Sequence, residues 1–313
     1  MSERDGDPRR AGDTNTGAPR PFGWSYPRLL LVGLVLVAAV AVVLVGTAST
    51  AAFSPHNTDW DGTSGFEELA VDSGDGAVIS STDQYESAEP SSTTAVVIAP
   101  QSSYDSPEAE RVQRFVEDGG TLVVADDGEA GNALLSDVGA TARFDGAMLR
   151  DRERNFRQSS FPVANTVSEQ PTTQNVDQLT LNNGTVVEPN GATPVVASSP
   201  FSYLDPAGTD ELDDETVFRS YPVVTVEPVG DGTVIAVSDP SLFINAMLKQ
   251  PDNEAFAANI AAANERTLLD SSHTTPTPPL VVGLEWLQDT PVVAAVGGVV
   301  VVGLVAAVGR RSS

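Results

Sequence analysis

Two long uncharged stretches bracket a chain whose middle alternates short apolar runs with amphipathic ones. Leu29 to Gly46 reads LLLVGLVLVAAVAVVLVG, and Pro291 to Gly309 reads PVVAAVGGVVVVGLVAAVG. At about 1.5 Å per helical residue, each comes close to the hydrocarbon thickness of a bilayer. The spacing predicts transmembrane helices over residues 28–50 and 291–309. Trp24 and Tyr26 stand before the first and Trp286 before the second, where interfacial aromatics belong. Arg20 and Arg28 precede the first run and Arg310-Arg311 follow the second, so the positive-inside tendency predicts both termini in the cytoplasm and the middle outside. Residues 1–27 read as a disordered cytoplasmic tail, 266–290 as a Pro-rich stalk (HTTPTPP, His273 to Pro279) with an interfacial segment, and 310–313 as a short cytoplasmic end. Gly297-Gly298 and Gly303 suit close packing of the two anchors.

Between the anchors the pattern predicts an α/β domain over residues 53–265. Ala95 to Ala99 is an apolar run stopped by Pro100, as a buried parallel strand would be. Ser106-Pro107 then supplies an N-cap and a first-turn proline, Ala109, Val112, Phe115 and Val116 recur at helical spacing, and Gly119 ends the helix. Thr121 to Ala125 is a second buried strand, completing a βαβ unit. Helices are further expected over 64–70, 130–138, 240–248 and 252–263, the last burying Phe256, Ile260 and Ala263. Strands are expected over 77–80, 194–197, 223–226 and 233–237. Asn182-Asn183-Gly184 and Asn190-Gly191 read as hairpin turns in an otherwise irregular 141–192. This alternation implies a mostly parallel, layered sheet of flavodoxin-like or related form.

At these residues the chain resembles the domain-of-unknown-function family 4350. The likeness lies in AVVIAP, FVEDGGTLVVADD and GNALLSDVGA, in the later GTVIAVSDPSLFINAMLKQPDNEAFAANI, and in the opening Trp60-Asp61-Gly62-Thr63-Ser64. The resemblance implies a class I glutamine amidotransferase-like fold. It also implies a setting among haloarchaeal membrane proteins that travel with MoxR-type ATPases. It implies no activity.

Composition narrows the chemistry. The net charge is -26, from 43 acidic and 17 basic residues. The termini hold seven of the bases and four of the acids, leaving 39 acids and 10 bases in the middle. Such a field repels nucleic acid and anionic lipid. Lys249 is the only lysine, a balance that reads as adaptation to high salt, where repulsion is screened over a few ångströms. No cysteine is present, which excludes disulfides, thiolate metal sites and thiol nucleophiles. No Walker A pattern and no G-x-S-x-G occur. The two histidines, His56 beside the first anchor and His273 in the stalk, are placed too far from the sheet to serve a serine nucleophile.

Three groups of residues remain. Asp126 and Asp127 follow one strand and Asp239 another, where open α/β sheets hold ligands, so the three carboxylates are a candidate Mg²⁺ or Ca²⁺ site. The alternative is a helix cap at Asp239 and an acidic turn at 126–128. Arg143 to Arg157 holds half of the domain's bases, and Arg150, Arg152, Arg154 and Arg157 are candidates to dock an anionic ligand or an acidic partner. The alternative is pairing with acids of the same loop. Asn183-Gly184-Thr185 is an N-glycosylation sequon. The reading is a membrane-anchored, extracytoplasmic binding or scaffolding domain, without catalysis or cofactor, serving as an accessory subunit beside a membrane-protein partner. Two alternatives stand: a metal-dependent or degenerate amidotransferase-like enzyme, and the substrate-binding component of a transport system.

Overall fold

The computed structural model describes residues 30, 33–35, 37 and 49–274. The chain divides into two units, Met1–Val45 and Gly46–Ser313. In the first, only helical residues at 30, 33–35 and 37 are described. Among the described residues no helix is long and apolar enough to cross a membrane. Most of the expected span at 28–50 and all of that at 291–309 fall outside them.

The second unit is built on one eight-stranded sheet. In chain order its strands are β1 (Asp75–Ile79), β2 (Thr93–Ile98), β3 (Thr121–Ala125), β4 (Thr166–Val167), β5 (Thr193–Ala197), β6 (Pro222–Val229), β7 (Gly232–Val237) and β8 (Arg266–Asp270). Across the sheet they run β1-β8-β2-β3-β7-β6-β5-β4. The first five are mutually parallel, and β6, β5 and β4 continue antiparallel. The sheet is therefore mixed, with a parallel half. Four helices accompany it: α1 (Ser64–Ser73), α2 (Ser106–Glu117), α3 (Glu129–Asp137) and α4 (Asn253–Ala261).

Strand residues alternate between two cores. Val96, Ile98, Val123, Ala125, Ile235 and Val237 meet Phe66 and Ala70 of α1 and Phe256, Ala257 and Ile260 of α4. Ala95, Val97, Leu122, Val124, Val234 and Ala236 meet Val112, Phe115 and Val116 of α2 and Leu134 and Leu135 of α3. Helices on both faces explain why these strands read as unbroken apolar runs rather than as alternation.

The βαβ unit stands as expected, with one difference at its cap. Asp105, not Ser106, is the N-cap of α2. Its side chain accepts from Glu108 N at 3.0 Å, and Glu108 Oε2 accepts from Asp105 N at 2.9 Å, a reciprocal capping box.

Five other expectations are corrected. The domain does not end at 265, and the segment after it is not all stalk. Arg266–Asp270 is an interior strand, paired in parallel with β1 on one side and β2 on the other. After β7 only a 3₁₀ turn, Pro240–Phe243, replaces the expected helix to 248. Asn245 N and Ala246 N donate to Gly62 O (2.8 Å) and Trp60 O (2.9 Å) instead of to their own turn. Helix α4 stops at Ala261, leaving Ala263 exposed. The two asparagine turns are real, with φ of 57° at Asn183 and 50° at Asn190. Neither closes a hairpin: Leu179–Thr180 pairs with Val163–Ala164, and Val187–Glu188 with Arg143–Phe144. His273 is the fifth correction and belongs with the site.

Candidate functional site

Parallel strands deliver their following loops to one edge, and the chemistry of this chain gathers there. At the end of β8, Asp270 is buried and accepts from Tyr85 Oη (2.9 Å), Tyr104 Oη (3.1 Å) and Ser272 N (2.9 Å). Burial, and then the Asp270 charge, hold both phenols well above their ordinary range, so they stay protonated and donate. The His273 ring lies against Tyr104, centroids 4.0 Å apart. Its Nδ1 is 3.0 Å from Ser102 Oγ and its Nε2 3.0 Å from Glu108 Oε2. The histidine assigned to a remote stalk is thus docked at the end of β2. Its backbone joins in: Gln101 N donates to His273 O at 2.7 Å. Because Glu108 Oε2 is also the capping acceptor of α2, this line of side chains fastens the chain leaving β8 onto the helix start.

One strand over, the three candidate carboxylates do lie at the same edge. Asp126 N donates to Val237 O, tying the end of β3 to the end of β7. The Asp126 carboxylate accepts from Gly131 N at 2.7 Å, in the first turn of α3. The Asp239 carboxylate accepts from Asn182 N at 2.5 Å and Ser241 N at 2.8 Å. Burial pushes the Asp239 carboxyl up to about 7, against those two hydrogen bonds. Asp127 is exposed beside them. Asp239 caps the 3₁₀ turn that follows it, and Asp126 sits in an acidic turn whose carboxylate accepts from the first turn of α3. Among the described residues no group of three or more His, Cys, Asp or Glu is arranged to hold a metal ion.

The arginine loop is organised from within. Asp151 is fully buried, and its Oδ1 accepts from Glu153 N (2.8 Å) and Arg154 N (2.7 Å). Its Oδ2 accepts from Ser199 and Ser202 hydroxyls. Arg150 is itself buried and pairs with Asp205, Nε to Oδ2 2.5 Å. Removing one partner leaves the other charge buried without its counter-ion, which typically costs about 3–5 kcal/mol. Arg150→Ala is accordingly expected to lower the unfolding free energy by that order, seen as a lower urea midpoint at unchanged slope. A midpoint unchanged from the wild type would show the pair to be dispensable.

The other three arginines face outward, in two places. Arg152 pairs with half-buried Asp210 at 3.2 Å and lies 5.9 Å from the Tyr203 ring centre, against whose ring Phe218 packs edge-on. Arg154 is exposed nearby in sequence, and Phe201, Leu212, Val217 and Phe218 are 41–61% exposed around this segment. Arg157 instead lies over the Phe156 ring, 4.7 Å from its centre, in a cleft of about 640 Å³. That cleft also holds Trp60, Phe161, Asn182 and Asn183. Trp60 is 67% exposed, and its loop is stapled by Asn245. The Asn245 side chain accepts from Gly65 N (2.8 Å) and donates to Asn57 O (3.2 Å) and Asp59 O (2.7 Å). Gly62 is forced in the same loop, since a Cβ there would sit 1.9 Å from Asn57 O.

The structure thus separates the four arginines and joins Arg157 to Asn183. Sequence reasoning missed Asn245, Tyr203 and Asp270. Only the short apolar core of RTLLD, between polar ends, hinted at the last.

No curated protein matches the chain. Among solved structures, an IFT52 N-terminal domain is similar over 57% of this chain and 77% of its own, at 14% identity and TM-score 0.42. A cytoplasmic protein of Salmonella typhimurium, STM3548, is similar over 66% and 81%, at 11% identity and TM-score 0.38. The β-galactosidase of the Antarctic haloarchaeon Halorubrum lacusprofundi is similar over 53% of this chain and 21% of its own, at 18% identity and TM-score 0.31. Likenesses this slight assign neither a fold family nor an activity. The family match is of another order: residues 55–261 match the family described as a domain of unknown function, DUF4350, and the chain belongs to it.

Proposed function

We propose that this chain is a membrane-anchored domain, held outside the cytoplasm of a salt-adapted archaeal cell, that binds a protein partner of a membrane assembly. The apolar runs at 28–50 and 291–309, with arginines on their outer flanks, support the anchoring and the orientation. The amidotransferase-like layering suggested by the family resemblance is consistent with the parallel half of the sheet, and a MoxR-type ATPase system is the partner setting that resemblance offers.

One observation carries the binding reading. On a domain with 37 acids and 10 bases between residues 49 and 274, Arg152 lies over the Tyr203 ring against which half-exposed Phe218 packs, and Arg154, Phe201 and Val217 are exposed on the same two segments of chain. Arginines among exposed aromatic and aliphatic side chains are the composition of protein interfaces rather than of a solvated face. A partner surface that is apolar with carboxylates at its rim fits it.

Cross-linking in intact membranes, followed by mass spectrometry, tests this. Links to a membrane-protein partner should map to residues 150–157 and 201–219. Arg154→Glu with Val217→Asp, both exposed positions, should cut them at least several-fold while the melting temperature holds. Equal cross-linking by the double variant would sink the proposal, as would a reporter after Ser313 that reads as extracytoplasmic.

A further inference from the structure

We propose that the cleft between Trp60 and Arg157 is filled by the first sugar rings of a glycan carried on Asn183. This rests on the extracytoplasmic placement proposed above and on nothing else in that reading.

The cleft's chemistry is the argument. The domain, residues 49–274, has 37 acids among its side chains, yet none lines this cleft. Two other clefts of about 520 and 770 Å³ carry Glu68, Asp72 and Glu254, and Glu169 and Asp177, respectively. Here the polar groups are the amides of Gln158, Asn182 and Gln250, each offering a donor and an acceptor without formal charge, together with the Arg157 guanidinium stacked on Phe156. The apolar groups are the rings of Trp60, Phe156 and Phe161. Amides for hydroxyls and aromatic faces for the C–H side of a pyranose are what a neutral sugar requires. An exposed tryptophan in so acidic a surface is otherwise unexplained. At about 640 Å³ the space lies within the roughly 300–1,000 Å³ typical of ligand sites.

The source of the sugar is given by position. Asn183 is exposed at the cleft wall, and one Nδ2–H donates to Asn182 Oδ1 at 2.9 Å. Glycosylation consumes the other hydrogen. The Nδ2–C1 bond forms, the C1–O bond to a lipid-linked sugar phosphate breaks, and the phosphate departs with that electron pair while Nδ2 gives up one proton. The hydrogen bond to Asn182 survives. In the folded domain the Thr185 hydroxyl is buried, donating to Ala147 O (2.7 Å) and accepting from Gly146 N (2.9 Å), so transfer by a separate enzyme precedes closure of this loop.

The fold alone explains Gly184, where a Cβ would meet Asp239 Cβ at 2.6 Å, and the left-handed φ of 57° at Asn183. The decisive variant is therefore Asn183→Asp, which tolerates that conformation but has no amide.

The experiment uses the full chain purified from its own membranes, with proteolytic peptides weighed. The Asn183 peptide should carry hexose or hexosamine mass, lost in Asn183→Asp and kept in Thr185→Ser. Enzymatic release of the glycan from the native protein should be several-fold faster in Trp60→Ala than in the wild type. An unmodified Asn183 peptide, from a domain that protease shaving of whole cells shows to be outside, overturns this inference alone. A domain inaccessible to shaving overturns the placement beneath it as well. A glycan released equally fast from wild type and Trp60→Ala overturns the filling of the cleft. So does a wild type that is unmodified yet binds added free oligosaccharide.

Discussion

A chain spanning residues 49–265 should fail to fold, whereas one spanning 49–274 should unfold in a single cooperative transition. The nine residues between the two ends contain β8, which lies inside the sheet with Arg266 in register with Asp75 of β1 and with Thr93 of β2. Its removal strips β1 of its only strand neighbour and β2 of one of two. Leu268 and Leu269 go with it, one into each core, at about 1.5–3 kcal/mol apiece. The ladder hydrogen bonds on both sides and the Asp270 acceptor for two buried phenols are lost too. Against a typical total of roughly 5–15 kcal/mol, the deficit is prohibitive. Near-ultraviolet circular dichroism of the two chains decides it, and native-like aromatic signals from the shorter one would refute β8 as an interior strand. Leu268→Asp in the full domain is the milder form of the same test.

The second large effect concerns pH. The Asp239 carboxyl is pushed by burial to about 7, whereas in the unfolded chain it titrates near 3.8. The folded protein therefore holds a proton that the unfolded chain has released between those values. Stability from this group is fully present below about 3.8 and is lost as pH rises toward 7. Burial shifts Asp126 in the same direction. At about 1.4 kcal/mol per unit, Asp239 alone sets an upper bound of roughly 4 kcal/mol on the change. Asn at this position cannot ionise, but its amide can accept only one of the two backbone N–H groups that Asp239 accepts. Asp239→Asn is thus expected to lie about 1–3 kcal/mol below the wild type near pH 4. It should equal or exceed the wild type at pH 8. Urea midpoints at fixed high salt, followed from pH 4 to 8, test this. Parallel curves for the two proteins would show that Asp239 is not the titrating group.

These two effects also mark what could be read ahead of the fold. The βαβ unit was legible because every local signal agreed: apolar strands of full length, a proline in the first helical turn, a glycine at φ 108° just past the helix end. Strand β8 was not, because charged Arg266 and Asp270 frame only two leucines and a threonine whose hydroxyl bonds Ala261 O at 2.9 Å. Its burial on both sides comes from neighbours distant in sequence. The carboxylates were found by the rule that strand ends collect ligands, but Asp126 and Asp239 accept backbone N–H groups that no linear pattern reveals. The arginines clustered in sequence and dispersed in space. The loop turns tightly around buried Asp151, so Arg150 points inward while Arg152 and Arg157 serve different surfaces.

The placement of β8 governs how the chain reaches its fold. The last strand among the described residues slots between the first and second, so the parallel half of the sheet stays gapped until residue 270 has left the ribosome. Closure joins segments almost two hundred residues apart, a long-range pairing that must be reached before it is rewarded. During that wait the apolar edges of β1 and β2 lie open to other chains. Only the insertion of β8 closes that gap, pairing β1 and β2 in one step.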